Sequence, residues 1–240
     1  WDASVPFVLS AALVYHRCRK GDRMNHEKLK EIQETLPAHV TLVAVSKTRT
    51  KEEIDEAYAA GCTVFGENKV QEIVRKHDPR YHWHMIGHLQ RNKVRQVLPL
   101  VDMIQSLDSL SLAKEIEKQA AKIDKKMAVL VEVNISQETN KSGITAEETM
   151  DFIDICRREF PHIEVQGLMC VGPNTDDTKR IEACFEQMHQ LYIQAQERFG
   201  DSIRWLSMGM SADWKLAVQH GSNMVRIGSD IFGPRQYDTQ

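Results

Sequence analysis

None of the predicted strands in the 240-residue sequence is followed by a Gly-x-Gly-x-x-Gly or P-loop pattern, which sets aside the usual dinucleotide and triphosphate enzymes. An excess of either charge is also missing. The 31 basic and 34 acidic side chains are spread evenly to a net −3, which leaves no electrostatic footprint for nucleic acid or an anionic membrane. The five cysteines, Cys18, Cys62, Cys156, Cys170 and Cys184, contain no CxxC pair and are odd in number, so reduced thiols in a cytosolic protein are expected. The apolar run from Val5 to Tyr15 is too short for a bilayer, and its basic residues follow it, unlike those of a secretory signal. Residues 1–23 are therefore set aside as an extension of uncertain origin. Residues 24–240 show no low-complexity linker and are expected to form one domain.

What is present is a regular alternation. Apolar runs predict strands over 40–48, 63–65, 81–86, 102–105, 127–133, 163–170, 204–207 and 224–227. Helical stripes and caps predict helices over 27–35, 50–60, 70–76, 92–98, 110–123, 145–160, 177–199 and 212–220. About eight strands, each followed by a helix or a helix-like turn, is the count that closes an α/β (β/α)8 TIM barrel. A doubly wound open sheet is the alternative architecture.

The run Val40-Thr41-Leu42-Val43-Ala44-Val45-Ser46-Lys47-Thr48 organises the rest. Its period of two puts Lys47 on one face with Thr41, Val43 and Val45, at the strand end where parallel α/β sheets bind ligands. A lysine held against apolar walls has its charge disfavoured, and the neutral amine is a nucleophile for aldehydes, which is Schiff-base chemistry. The plainer alternative is a lysine that leans into solvent.

In a barrel, the loops after the seventh and eighth strands often cradle phosphate. Here they read Ser207-Met208-Gly209-Met210-Ser211 and Gly228-Ser229-Asp230-Ile231-Phe232-Gly233. Arg226, near the end of the last strand, needs an acceptor: either a carboxylate such as Glu132 or a ligand's aromatic nitrogen or phosphate. His82 and His84 share a strand face and are weighed as metal ligands, but Trp83 and Met85 on the other face make ordinary packing plausible, so no metal is expected. His88 and Asn68 fall in exit loops, Met169 reads as a core filler or pocket wall, and Asn134 as a turn cap or pocket residue.

Several stretches together resemble the pyridoxal phosphate homeostasis protein family, itself similar to the N-terminal barrel of alanine racemase. They are Leu42 to Thr48, Phe65-Gly66-Glu67-Asn68-Lys69-Val70-Gln71-Glu72, Trp83 to Lys93, Lys141-Ser142-Gly143, Gly167-Leu168-Met169, Leu206 to Asp213, and Val225 to Ser229 with Ile231-Phe232-Gly233. The resemblance implies that Lys47 forms the internal aldimine with pyridoxal 5'-phosphate, and that Ser211 with the backbone around Gly209, Gly228 and Ser229 holds the phosphate. It also implies that Arg226 faces the pyridine nitrogen and weakens the ring as an electron sink. Asn68, His88, Met169 and Ser207 complete the implied cofactor-binding set. Residues 1–23 match nothing in the family.

Alanine racemase uses a second, C-terminal β domain and a tyrosine from a partner subunit, and this sequence stops shortly after Gly233. The expectation is a cytosolic, monomeric protein that holds pyridoxal phosphate as a Schiff base, buffers it and supplies it to dependent enzymes, a carrier without established turnover. An amino-acid racemase or lyase using Lys47 is the alternative, and a metal-dependent hydrolase through His82 and His84 is the third.

Overall fold

Valine-rich runs that cannot shed their apolar surface on one face alone become strands covered on both sides. In the computed structural model, which describes residues 24–136 and 142–234, those strands close on themselves. They are β1 (Thr41–Val45), β2 (Val64–Glu67), β3 (His82–Met85), β4 (Met103–Leu107), β5 (Met127–Glu132), β6 (Ile163–Met169), β7 (Trp205–Ser207) and β8 (Met224–Ile227). Each is parallel to the next, and β8 returns to β1 with Leu42 opposite Val225 and Val43 opposite Arg226. The barrel is therefore closed, and the open-sheet alternative is set aside. The extension over 1–23 and Lys141 lie outside the described residues.

Around the barrel run α1 (His26–Thr35), α2 (Lys51–Ala59), α3 (Val70–Lys76), α4 (Val94–Val97), α5 (Leu110–Lys122), α6 (Thr149–Glu159), α7 (Thr178–Phe199), α8 (Trp214–Gln219) and α9 (Ser229–Phe232). Among the described residues, no helix is long and apolar enough to cross a membrane. The core has two layers. Outward-facing strand residues such as Ala44, Phe65, Trp83, Val129 and Val225 pack under the helices. Val43, Met103, Leu130, Met169 and Met224 fill the barrel itself.

Several elements differ from their sequence expectations, each for a local reason. β1 ends at Val45, two residues before Lys47, because the chain turns there: the Arg49 N–H bonds the Ser46 carbonyl at 3.0 Å and Thr48 takes a φ of +66°. Gly66 and Glu67, expected in a polar corner, belong to β2, and Glu67 is fully buried because Lys76 neutralises it. The helix expected over 92–98 breaks into a 3-10 turn at Arg91–Lys93, the short α4, and a second 3-10 turn at Leu98–Leu100 that contains Pro99. β4 runs on to Leu107 through a register shift. Thr145 does accept from the Glu148 N–H, at 3.3 Å, but a tight turn intervenes before α6 begins at Thr149. The loop expected over 228–233 contains α9, and α8 starts at Trp214 rather than Ala212.

Candidate functional site

The C-terminal strand ends meet at one mouth, and a cavity of about 400 Å³ opens there between the loops after β1, β2, β7 and β8. Six of the ten residues implied by the resemblance line it: Lys47, Asn68, Ser211, Arg226, Gly228 and Ser229. Lys47 is half-buried beside Val45, in the turn after β1. Asn68 is held in place by the next strand's exit. A Cβ on Gly87 would lie 2.6 Å from the Asn68 carbonyl oxygen, so only glycine lets the two loops approach this closely.

Opposite the lysine, two turns present backbone N–H groups. The N–H groups of Asp213 and Trp214 both bond the Met210 carbonyl, so those of Ser211 and Ala212 lie at the open start of that turn. Gly228 donates its N–H to Ser211 Oγ at 3.3 Å, which ties the two loops together. The first N–H groups of α9, from Ser229 and Asp230, likewise have no intrahelical acceptor. Gly209, with φ +95°, makes this fold of the β7 loop feasible, since a Cβ there would sit 2.6 Å from that of Ala217.

Arg226 forms part of the cavity wall and is 5% exposed. Its Nη1 donates to Ser207 Oγ at 2.6 Å and its Nη2 to the Cys170 carbonyl at 2.7 Å. Both acceptors are neutral. Among the described residues no ion pair joins Arg226 to Glu132, the carboxylate considered for it, and Glu132 instead accepts from Ser142 Oγ at 3.0 Å. Burial lowers the guanidinium's pKa, with Cys170, Glu132 and Asp213 acting in the opposite direction. A buried cation without a carboxylate in contact favours an anion or an electron pair in the cavity it borders.

The remaining four implied residues lie elsewhere. Ser207 is fully buried beneath Arg226 and does not line the cavity. Gly209 accepts the Arg226 backbone N–H at 3.0 Å, so it fixes the strand rather than forming a wall. Met169 belongs to the barrel interior at 1% exposure. His88 lines a separate, more open cavity of about 610 Å³ between the exits of β3 and β4, where its ring pairs with Asp108 at 3.1 Å. Asn134 bonds the Ile144 carbonyl through its N–H and does not line the Lys47 cavity.

The histidine pair divides along β3. His82 is exposed and meets Asp102 at 3.3 Å, whereas His84 is buried with Nδ1 2.8 Å from Gln105 Nε2. Among the described residues no cluster of three or more His, Cys, Asp or Glu side chains is arranged to hold a metal. His84 instead ends a chain that the sequence reading missed. Arg226 donates to Ser207 Oγ, Ser207 donates to Gln105 Oε1 at 2.7 Å, and Gln105 donates to His84 Nδ1. The donor directions agree at every link. Gln105 was legible only as a polar residue in an apolar strand, and such a residue facing a barrel interior requires partners. Arg49, also missed, borders the cavity and bonds the carbonyls of Gly233 at 2.6 Å and Pro234 at 2.9 Å, closing the β1 loop onto the segment after α9.

Comparison with known proteins agrees with this architecture. Residues 23–236 match the family model for the alanine racemase N-terminal domain. The pyridoxal phosphate homeostasis protein of Pasteurella multocida is 43% identical over 205 residues, spanning 82% of this chain and 88% of that relative. PipY of Synechococcus elongatus, solved with pyridoxal phosphate bound, superposes with a TM-score of 0.80 at 31% identity, over 87% of this chain and 99% of PipY. Alanine racemase from Clostridium difficile shares the fold at a TM-score of 0.73 and 16% identity, and this chain covers 59% of its length and 88% of its own. The chain thus belongs to the alanine racemase N-terminal domain family and, within it, to the pyridoxal phosphate homeostasis proteins.

Proposed function

We propose that this chain binds pyridoxal 5'-phosphate in the 400 Å³ cavity and serves in the homeostasis of that cofactor, holding it reversibly through Lys47 and releasing it to dependent enzymes. The observation that carries the reading is the joint presence, around one cavity, of a lysine amine, a buried arginine that contacts no carboxylate among the described residues, and two turns with open N–H groups. These fit the three chemical features of the cofactor. The turns at Ser211 and Ser229 suit a phosphate dianion, Arg226 suits the pyridine nitrogen's lone pair, and Lys47 suits the aldehyde.

When bound, the cofactor supplies an aldehyde carbon with which the Lys47 amine can condense, releasing one water, and the same water reverses the step. The chain's own groups do the rest. Ser211 Oγ accepts from the Gly228 N–H and so keeps the β7 and β8 loops at a fixed separation. Ser207 and the Cys170 carbonyl orient the guanidinium. An arginine stays protonated and donates, so it leaves the ring nitrogen without a proton and limits the ring's capacity to stabilise a carbanion. The same reading takes residues 24–240 as a single barrel domain that acts as a monomer in the cytosol, and the buried Cys62, Cys156, Cys170 and Cys184, which form no disulfide among the described residues, are consistent with such a reducing location.

Isothermal titration with pyridoxal 5'-phosphate tests the reading. Arg226→Met is expected to weaken binding by at least about 10-fold, the cost of a charge-assisted hydrogen bond. Unchanged affinity in a folded Arg226→Met protein would remove the arginine from the site.

A further inference from the structure

The turn that carries Lys47 is gripped from behind by a buried charged cluster. Lys76, the last residue of α3, is 2% exposed, and its ammonium donates to Glu67 Oε1 at 2.8 Å, to Glu72 Oε2 at 2.6 Å and to the Ser46 carbonyl at 2.9 Å. All three of its N–H groups are thereby used. Glu67 Oε1 also accepts from the Ser46 hydroxyl at 2.8 Å, and Glu72 Oε2 accepts from the Thr48 backbone N–H at 2.8 Å. The residue before Lys47 is thus fixed at its carbonyl and its hydroxyl, and the residue after it at its N–H.

Two features argue against reading this as ordinary packing. Burying an ion pair costs desolvation that apolar residues of similar volume would not incur, so stability alone does not account for it. The cost is visible at Glu67, which is fully buried with Oε2 unpartnered among the described residues and whose pKa burial pushes up while Lys76 pulls it back. In addition, Thr48 holds φ at +66°, a region that β-branched residues avoid, and the Glu72 bond is made at that residue's N–H. The strain and the charge burial converge on the two neighbours of one lysine.

We propose that Lys76, Glu67 and Glu72 are positioning residues that fix the Lys47 turn so that its amine meets the aldehyde of a ligand in the cavity, an inference that rests on the pyridoxal phosphate reading above. Attachment demands that the amine be placed to within a fraction of an ångström, and a turn that is two residues clear of its strand does not provide this unaided.

The test compares pyridoxal 5'-phosphate with pyridoxine 5'-phosphate, whose alcohol replaces the aldehyde and so escapes covalent capture. Full-chain wild type, Lys76→Met, Lys76→Arg and Glu72→Ala are checked for fold by circular dichroism and thermal midpoint, then titrated with both ligands. Capture at Lys47 is followed by stopped-flow absorbance and quantified by mass spectrometry after borohydride. In Lys76→Met, capture is expected to slow by about 10-fold or more while affinity for the alcohol analogue stays within about twofold. Lys76→Arg, whose fork can still reach both carboxylates, should recover most of the rate. Glu72→Ala removes the Thr48 acceptor at a side chain 15% exposed, and should shift the same ratio by a smaller factor.

Equal weakening toward both ligands would show a general structural role, and unchanged capture in both Lys76→Met and Glu72→Ala would show no role; either overturns the proposal. If Lys76→Met fails to fold, the ratio in Glu72→Ala decides. Absence of capture in wild type overturns the cofactor reading and this proposal with it, and is seen before any variant is compared.

Discussion

Arg226 and His84 stand at opposite ends of one hydrogen-bond chain, and the far end sets a pH dependence. Burial holds the His84 imidazole down from 6.5 to about 4, so it stays neutral and accepts from Gln105. The unfolded chain takes up this proton near pH 6.5, whereas the folded chain resists until about pH 4. The contribution of His84 is therefore full above the first value, declines as pH falls between the two, and is exhausted below the second, about 3 kcal/mol in all. Urea unfolding of wild type and His84→Gln at several pH values in this window should show the steeper loss in wild type. Parallel slopes would mean that the histidine is not held neutral. Lys47 and Arg226 stood out in the sequence because a charge in an apolar run requires an explanation. Gln105 did not, and Ser207 was named only as a cofactor-binding residue, because their linking role exists only once β3, β4, β7 and β8 face one another across the barrel interior.

At the level of elements, local chemistry settles some boundaries and long-range packing settles others. α2 is the clearest local case. Thr50 accepts from the Glu53 N–H at 3.3 Å while Glu53 Oε2 accepts from the Thr50 N–H at 2.6 Å, a reciprocal cap just after the Lys47 turn. Thr50→Ala should cost about 1 kcal/mol in urea unfolding, and no loss would show that the cap is redundant. β8 and the Thr50 cap were legible because apolar alternation and capping residues act over a few neighbours. The burial of Glu67 was not, because it depends on Lys76 returning from the far end of α3. α9 is similar: Asn25, ahead of α1, donates its N–H to the Ile231 carbonyl at 2.7 Å, a contact between residues far apart in sequence that no local pattern encodes.

Across the whole molecule, closing the barrel turns four loops distant in sequence into one cavity. Lys47 after β1, Asn68 after β2, Ser211 after β7 and Ser229 after β8 meet only because β8 pairs with β1. The strand count predicted this closure, while the separation of the cavity lined by Lys47 from the one lined by His88 required the structure. Lys47 is proposed as the covalent attachment point for pyridoxal phosphate in its cavity. The most direct test incubates wild type and Lys47→Ala with pyridoxal 5'-phosphate, reduces both with borohydride and maps the adduct by peptide mass spectrometry. The expected outcome is one stoichiometric phosphopyridoxyl adduct on Lys47 that is absent from the variant. An adduct on another lysine, or none in folded wild-type protein, would contradict it.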